Sequence, residues 1–105
     1  MRKTLEDFGR FSDPALLILT SLAGGAKHGY AMIEDIERFS GTRLEPGTLY
    51  GAITRLEERG WIAPLETEAR RRPYEITDAG RDVLGQQLAT MRKIVGTALQ
   101  RLPGL

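Results

Sequence analysis

The chain has 105 residues, with 15 Lys and Arg against 14 Asp and Glu, one histidine and no cysteine, and 41% of it is apolar. That length gives one small domain whose core a partner subunit can extend, and without cysteine there is no disulfide, thiol nucleophile or thiolate metal site. The longest apolar run, Ala15 to Leu19, falls far short of the roughly 20 residues of a membrane span, and Met1 to Asp7 turn acidic without leading into a signal core, so a cytoplasmic protein with no membrane partner is expected.

Residues 1–12 form an arm in which Leu5, Phe8 and Phe11 are spaced to bury one edge of a helical turn or two. Asp13-Pro14 then reads as a helix start, because Asp caps free backbone NH groups and Pro suits the first helical position, which has no intrahelical NH bond to lose. The helix that follows, to about Leu22, is apolar around most of its circumference and should be the central buried one, with Gly24-Gly25 ending it. A second helix is expected from Gly29 to Phe39, with Tyr30, Ile33, Ile36 and Phe39 as its core positions and Gly41 as its stop. The third begins after Glu45-Pro46-Gly47, where Pro suits a helix start and Thr48 lies in the first turn; it buries Leu49, Ala52, Ile53 and Leu56, and Gly60 closes it. Its other side, at about 100° per residue, carries Gly47, Gly51, Thr54 and Glu58, flanked by Thr48 and Arg55 and by Tyr50.

After Gly60 the pattern shortens. Residues 61–66 and 73–77 read as two strands joined by a turn that contains Arg70, Arg71 and Arg72, and Pro64 requires its strand to lie at an edge or bulge. Thr77 is placed to cap a last helix running to about Leu102, where Pro103-Gly104 stops it. Leu84, Leu88, Met91, Val95, Ala98 and Leu102 alternate by four and three along that helix, the spacing of a coiled-coil seam. The seam either folds back on its own domain or pairs with a second copy, and a helix of about 37 Å is longer than so small a domain covers.

Three short helices, a hairpin and a long helix give a mainly α fold with a small β-hairpin: a winged helix-turn-helix over residues 1–77 and a dimerisation helix over 78–105. In such a domain the third helix enters the major groove, where bulk on its outer face would hold the backbone away from phosphates and base edges. Gly47, Thr48, Gly51 and Thr54 lack that bulk, Tyr50 offers a hydroxyl, and Arg55 offers a guanidinium for a base or a phosphate unless Glu45, Glu57 or Glu58 holds it. Arg70, Arg71 and Arg72 form the wing tip, suited to phosphates or a narrow minor groove, with a solvated turn as the plain alternative. His28 reads as a capping or packing residue, Tyr30 as core, and Trp61 as an anchor of the hairpin or the wall of a ligand pocket.

His28-Gly29-Tyr30, Pro46-Gly47-Thr48-Leu49-Tyr50 with Arg55-Leu56-Glu57, Arg71-Arg72-Pro73-Tyr74, and Ile76-Thr77 with Ala79-Gly80-Arg81 follow one another over residues 14–84. The series resembles the PadR family of transcriptional regulators, in its short form with one C-terminal helix. The resemblance implies a homodimer that represses by binding a palindromic double-stranded DNA operator and, in some members, responds to a small aromatic or lipophilic effector. Where many members have proline after the tyrosine of the third helix, this chain has Gly51. A winged-helix module that docks a protein and never reads DNA is the competing reading, favoured by the near-neutral charge. An enzyme is not expected: one histidine, no cysteine and no phosphate-binding glycine loop leave no catalytic set, metal site or cofactor to assign.

Overall fold

The computed structural model describes residues 13–67 and 70–104. The arm with Leu5, Phe8 and Phe11 lies outside the described residues. Helix α1 (Pro14–Ala23) is followed by strand β1 (Lys27–His28), helices α2 (Gly29–Ser40) and α3 (Pro46–Glu58), strands β2 (Ile62–Pro64) and β3 (Pro73–Ile76), and helix α4 (Asp78–Arg101). The expected starts have physical caps. Asp13 accepts a 2.9 Å bond from the Ala15 amide, and Thr77 Oγ1 accepts from Gly80 N at 3.1 Å while donating to Gly60 O at 2.6 Å. Thr77 therefore starts α4 and ties it to the end of α3.

Helix α1 is the hub, touching α2, α3, α4 and β3. Its Leu17, Ile18, Leu19 and Leu22 meet Met32, Ile33 and Ile36 of α2 and Leu49, Ala52, Ile53 and Leu56 of α3 in one core, which Ile62, Ile76 and Leu84 close. Burying a side chain such as Leu49 or Leu56 contributes about 1.5–3 kcal/mol, so these residues fix the rotation of α3 and hence which side it turns outward. A polar tie sits beside this core. Buried Ser21 donates to Asp35 Oδ2 at 2.7 Å, and Lys27 Nζ donates to the Ser21 carbonyl at 2.6 Å, lashing α1 to α2 and β1.

Two expectations change. The two-stranded hairpin is a three-stranded antiparallel sheet of order β1-β3-β2, with Lys27 opposite Tyr74, His28 opposite Pro73 and Ile62 opposite Ile76. A strand of two residues is too short to show alternation, so only its pairing with β3 reveals it. Pro64 lies on the edge strand, where its missing NH breaks no inner ladder. Tyr30 and Phe39, expected in the core, are 52% and 46% exposed. Each step of three residues turns about 300°, so a series spaced by threes drifts around the helix and its two ends leave the buried face. The face of α2 that is buried holds Gly29, Met32, Ile33 and Ile36.

Helix α4 belongs to the domain only at its start, where Gly80 and Leu84 are buried. An added Cβ on Gly80 would collide with the Trp61 carbonyl oxygen, and it would lie 2.9 Å from Ile76 Cγ1 and 3.0 Å from the Trp61 carbonyl carbon. The glycine lets the first turn of α4 rest directly on the sheet. From Gly85 on the helix runs out from the domain, giving a body of 54 × 30 × 21 Å. Among the described residues Gly85 and Gly96 have no neighbour within 4 Å of an added Cβ, so no close approach between these residues accounts for them.

Candidate nucleic-acid interface

The outer side of α3 is assembled by the burial of its inner side. Leu49, Ala52, Ile53 and Leu56 face the core, while Gly47, Thr48, Tyr50, Thr54 and Arg55 are exposed and Gly51 is half-buried. Thr54 donates its hydroxyl to the Tyr50 carbonyl at 3.0 Å, back along its own helix. Arg55 forms no ion pair among the described residues, although Glu45, Glu57 and Glu58 are near it in sequence. Arg59, the other guanidinium at this end, stacks over the Trp61 ring with 5.1 Å to its centroid.

Beside α3 lies a cleft of about 300 Å³ lined by His28, Gly29, Tyr30, Tyr50, Arg70, Arg71, Arg72 and Tyr74. Three parts of the chain make it. Strand β1 pairs with the base of the wing, so the start of α2 is held against Pro73 and Tyr74. His28 Nδ1 caps that helix, accepting from Ala31 N at 3.3 Å. Tyr50 then leans from α3 onto Gly29, where an added Cβ would meet its hydroxyl and would lie 2.8 Å from Cζ. Burial, aided by the Glu57 carboxylate and opposed by Arg72, raises the Tyr74 hydroxyl above its ordinary value, so it remains a neutral hydrogen-bond donor near neutral pH. The cleft thus presents the NH-rich start of a helix, tyrosine hydroxyls and three guanidinium groups, a combination suited to the phosphates of a nucleic-acid backbone.

The arrangement brings together Tyr50 and Arg70, Arg71 and Arg72, which stand on separate elements of the chain, while Thr48, Thr54 and Arg55 stand on the exposed side of α3. It adds His28, Gly29, Tyr30 and Tyr74, which the sequence by itself assigns to capping, packing or the family motif. The signal for them was present as the His28-Gly29-Tyr30 motif, but only the β1–β3 pairing carries it to the wing. On α4, Leu84 is 7% exposed and sits in its own core, whereas Leu88, Val95 and Leu102 are exposed along with Ile94 and Leu99, which the seam had omitted. Met91 is half-buried and Ala98 exposed.

A three-helix core, a small sheet carrying a basic wing and a protruding last helix define a winged helix-turn-helix protein. The Transcriptional regulator PadR-like family matches residues 18–86, and the chain belongs to that family of DNA-binding transcriptional regulators, which are not enzymes. A crystal structure of a PadR family transcription regulator from hypervirulent Clostridium difficile R20291 is similar at a TM-score of 0.75 and 25% identity, covering 83% of this chain and 95% of that one. An uncharacterized 37.1 kDa protein in transposon TN4556 of Streptomyces fradiae is 43% identical over 91 residues, which are 87% of this chain and 26% of that protein. Transcriptional activator GvpE of Haloferax mediterranei is 39% identical over 67 residues, 64% of this chain and 34% of its own length. The chain therefore spans only about a quarter to a third of these two curated relatives. Among the described residues no helix is long and apolar enough to cross a membrane.

Proposed function

We propose that the protein is a homodimeric, cytoplasmic transcriptional repressor that binds a palindromic operator, with residues 1–77 contacting DNA and residues 78–105 forming the dimer. The cleft beside α3 carries this reading: it unites the wing arginines, Tyr50 and the start of α2 at the edge of the groove-entering helix. Gly47, Thr48, Gly51, Thr54 and Arg55 then face the groove. The dimer is supported by the exposed Leu88, Ile94, Val95 and Leu99 on a helix that has left its own domain, and by the exposed Leu102 just past its end. Two-fold symmetry sets the two α3 helices about 34 Å apart, one DNA turn.

The test is a shift assay on the gene's own upstream DNA over a range of salt, with the wild type and the Arg71→Ala, Arg72→Ala double variant. The variant is expected to bind every sequence more weakly and to show a flatter salt dependence. Equal affinity at all salt concentrations removes the wing from the interface. A wild type that shifts no DNA yet co-purifies with one protein supports the protein-docking reading instead.

Activation is a second reading, favoured by the similarity to GvpE, a transcriptional activator. A reporter behind the bound promoter separates the two, since loss of the protein raises expression under repression and lowers it under activation. Control by a small aromatic or lipophilic effector is supported by a second cavity of about 240 Å³, where Trp61 faces Leu16 and Leu19 of α1 and Val83 and Leu84 of α4. A compound that binds the protein without changing operator affinity counts against that control.

A further inference from the structure

Helix α3 offers few groups that could tell one base pair from another. Gly47 and Gly51 have no side chain, Thr48 is short, and the Thr54 hydroxyl is engaged with the Tyr50 carbonyl. Tyr50 is turned toward Gly29 and the wing cleft. Arg59 is stacked on Trp61. Glu58, on the same side, stands at the last position of α3, away from its N-terminal end. Arg55 is the group that remains: exposed, with no ion pair among the described residues. Its guanidinium also lies in a particular place. Nη1 is 3.6 Å from the position a Cβ on Gly51 would occupy, so the side chain runs back one helical turn over the glycine. That path carries the charge from the second half of α3 toward its N-terminal end, the end that recognition helices direct at base edges.

We propose that Arg55 is the base-reading residue of this protein, pairing with O6 and N7 of a guanine in the major groove, and that Gly51 positions it by leaving the space over which the guanidinium lies. The proposal rests on the reading of α3 as the groove-entering helix and gives that helix a specificity. A planar guanidinium presents two parallel NH groups that match the two acceptors on guanine, a pattern no other base shows in that groove. The phosphate contacts of the cleft fix where the protein sits, and Arg55 decides on which sequence it rests.

The experiment selects duplexes from a random pool with the full-length wild type, then measures affinity for the selected duplex and for a scrambled one of the same composition. Arg55→Ala should lose roughly five- to hundredfold on the selected duplex and less than about threefold on the scrambled one. Replacing the read guanine by 7-deazaguanine, which lacks the N7 acceptor, should weaken the wild type and leave Arg55→Ala indifferent. Gly51→Leu, whose γ and δ atoms enter the space of the guanidinium, should lose more of the preference than Gly51→Ala, whose Cβ makes only ordinary contact. Circular dichroism confirms that the variants are folded. Equal losses for Arg55→Ala on both duplexes make Arg55 a phosphate contact and overturn the proposal, as does selection of the same sequence by wild type and Arg55→Ala. Equal losses for Gly51→Ala and Gly51→Leu overturn the positioning role. A wild type that enriches no sequence and binds no duplex overturns the reading of α3 as well.

Discussion

Replacing Gly80 by alanine puts one methyl group where α4 meets the sheet. Its nearest neighbours are the Trp61 carbonyl oxygen, Ile76 Cγ1 at 2.9 Å and the Trp61 carbonyl carbon at 3.0 Å. Two of these are backbone atoms, and the Trp61 carbonyl also accepts the Thr77 amide at 3.0 Å, so it cannot turn aside without breaking that bond. The helix and the sheet must separate, and overpacking of this kind costs about 1–3 kcal/mol. Alanine favours a helix over glycine by at most about 1 kcal/mol, which leaves a net loss of up to about 2 kcal/mol. For a domain of this size that lowers Tm by up to roughly 15 °C. Gly85→Ala is the internal control, because an added Cβ there has no neighbour within 4 Å among the described residues and it takes only the helix gain. Thermal melts of both variants and the wild type, at one protomer concentration so that dimerisation does not shift them, should give opposite signs for the same exchange on one helix. A Gly80→Ala protein that melts at or above the wild type refutes the close approach of α4.

Thr77→Ala removes both the cap of α4 and the bond to Gly60 O, and a loss of about 1–2 kcal/mol is expected in urea unfolding, with Thr77→Ser recovering most of it. Gly29→Ala forces Tyr50 off the start of α2; since Tyr50 is half exposed and can swing outward, unfolding free energy should change by less than about 1 kcal/mol while affinity for DNA falls on every sequence, as anisotropy would read. Leu99→Glu places a charge on the exposed apolar side of α4, far from the core; sedimentation should show a monomer whose winged domain keeps its circular dichroism, and an unchanged dimer excludes this side as the interface.

Much of the molecule follows from local chemistry. Asp13, Thr77 and the proline at the start of α3 mark helix starts through the backbone NH groups they satisfy or lack, and the Leu49, Ala52, Ile53, Leu56 stripe determines which side of α3 is left outward. Periodicity failed where its own arithmetic drifts, at Tyr30 and Phe39, and where one position serves a different neighbour, as Leu84 does by closing its own core at the head of the α4 stripe. Arg55 and the wing arginines were identifiable as residue types at helix and turn positions. That Arg55 lies back over Gly51, and that the wing, Tyr50 and the start of α2 share one cleft, depends on approaches between elements distant in the chain. Strand β1 is two residues long and exists because β3 pairs with it; Tyr50 comes to rest on Gly29, and the Trp61 carbonyl leaves room only for glycine at position 80. Spacing along a sequence records how one element divides between core and solvent, whereas contact between two elements is a property of their packing, and the candidate interface is built from such contacts.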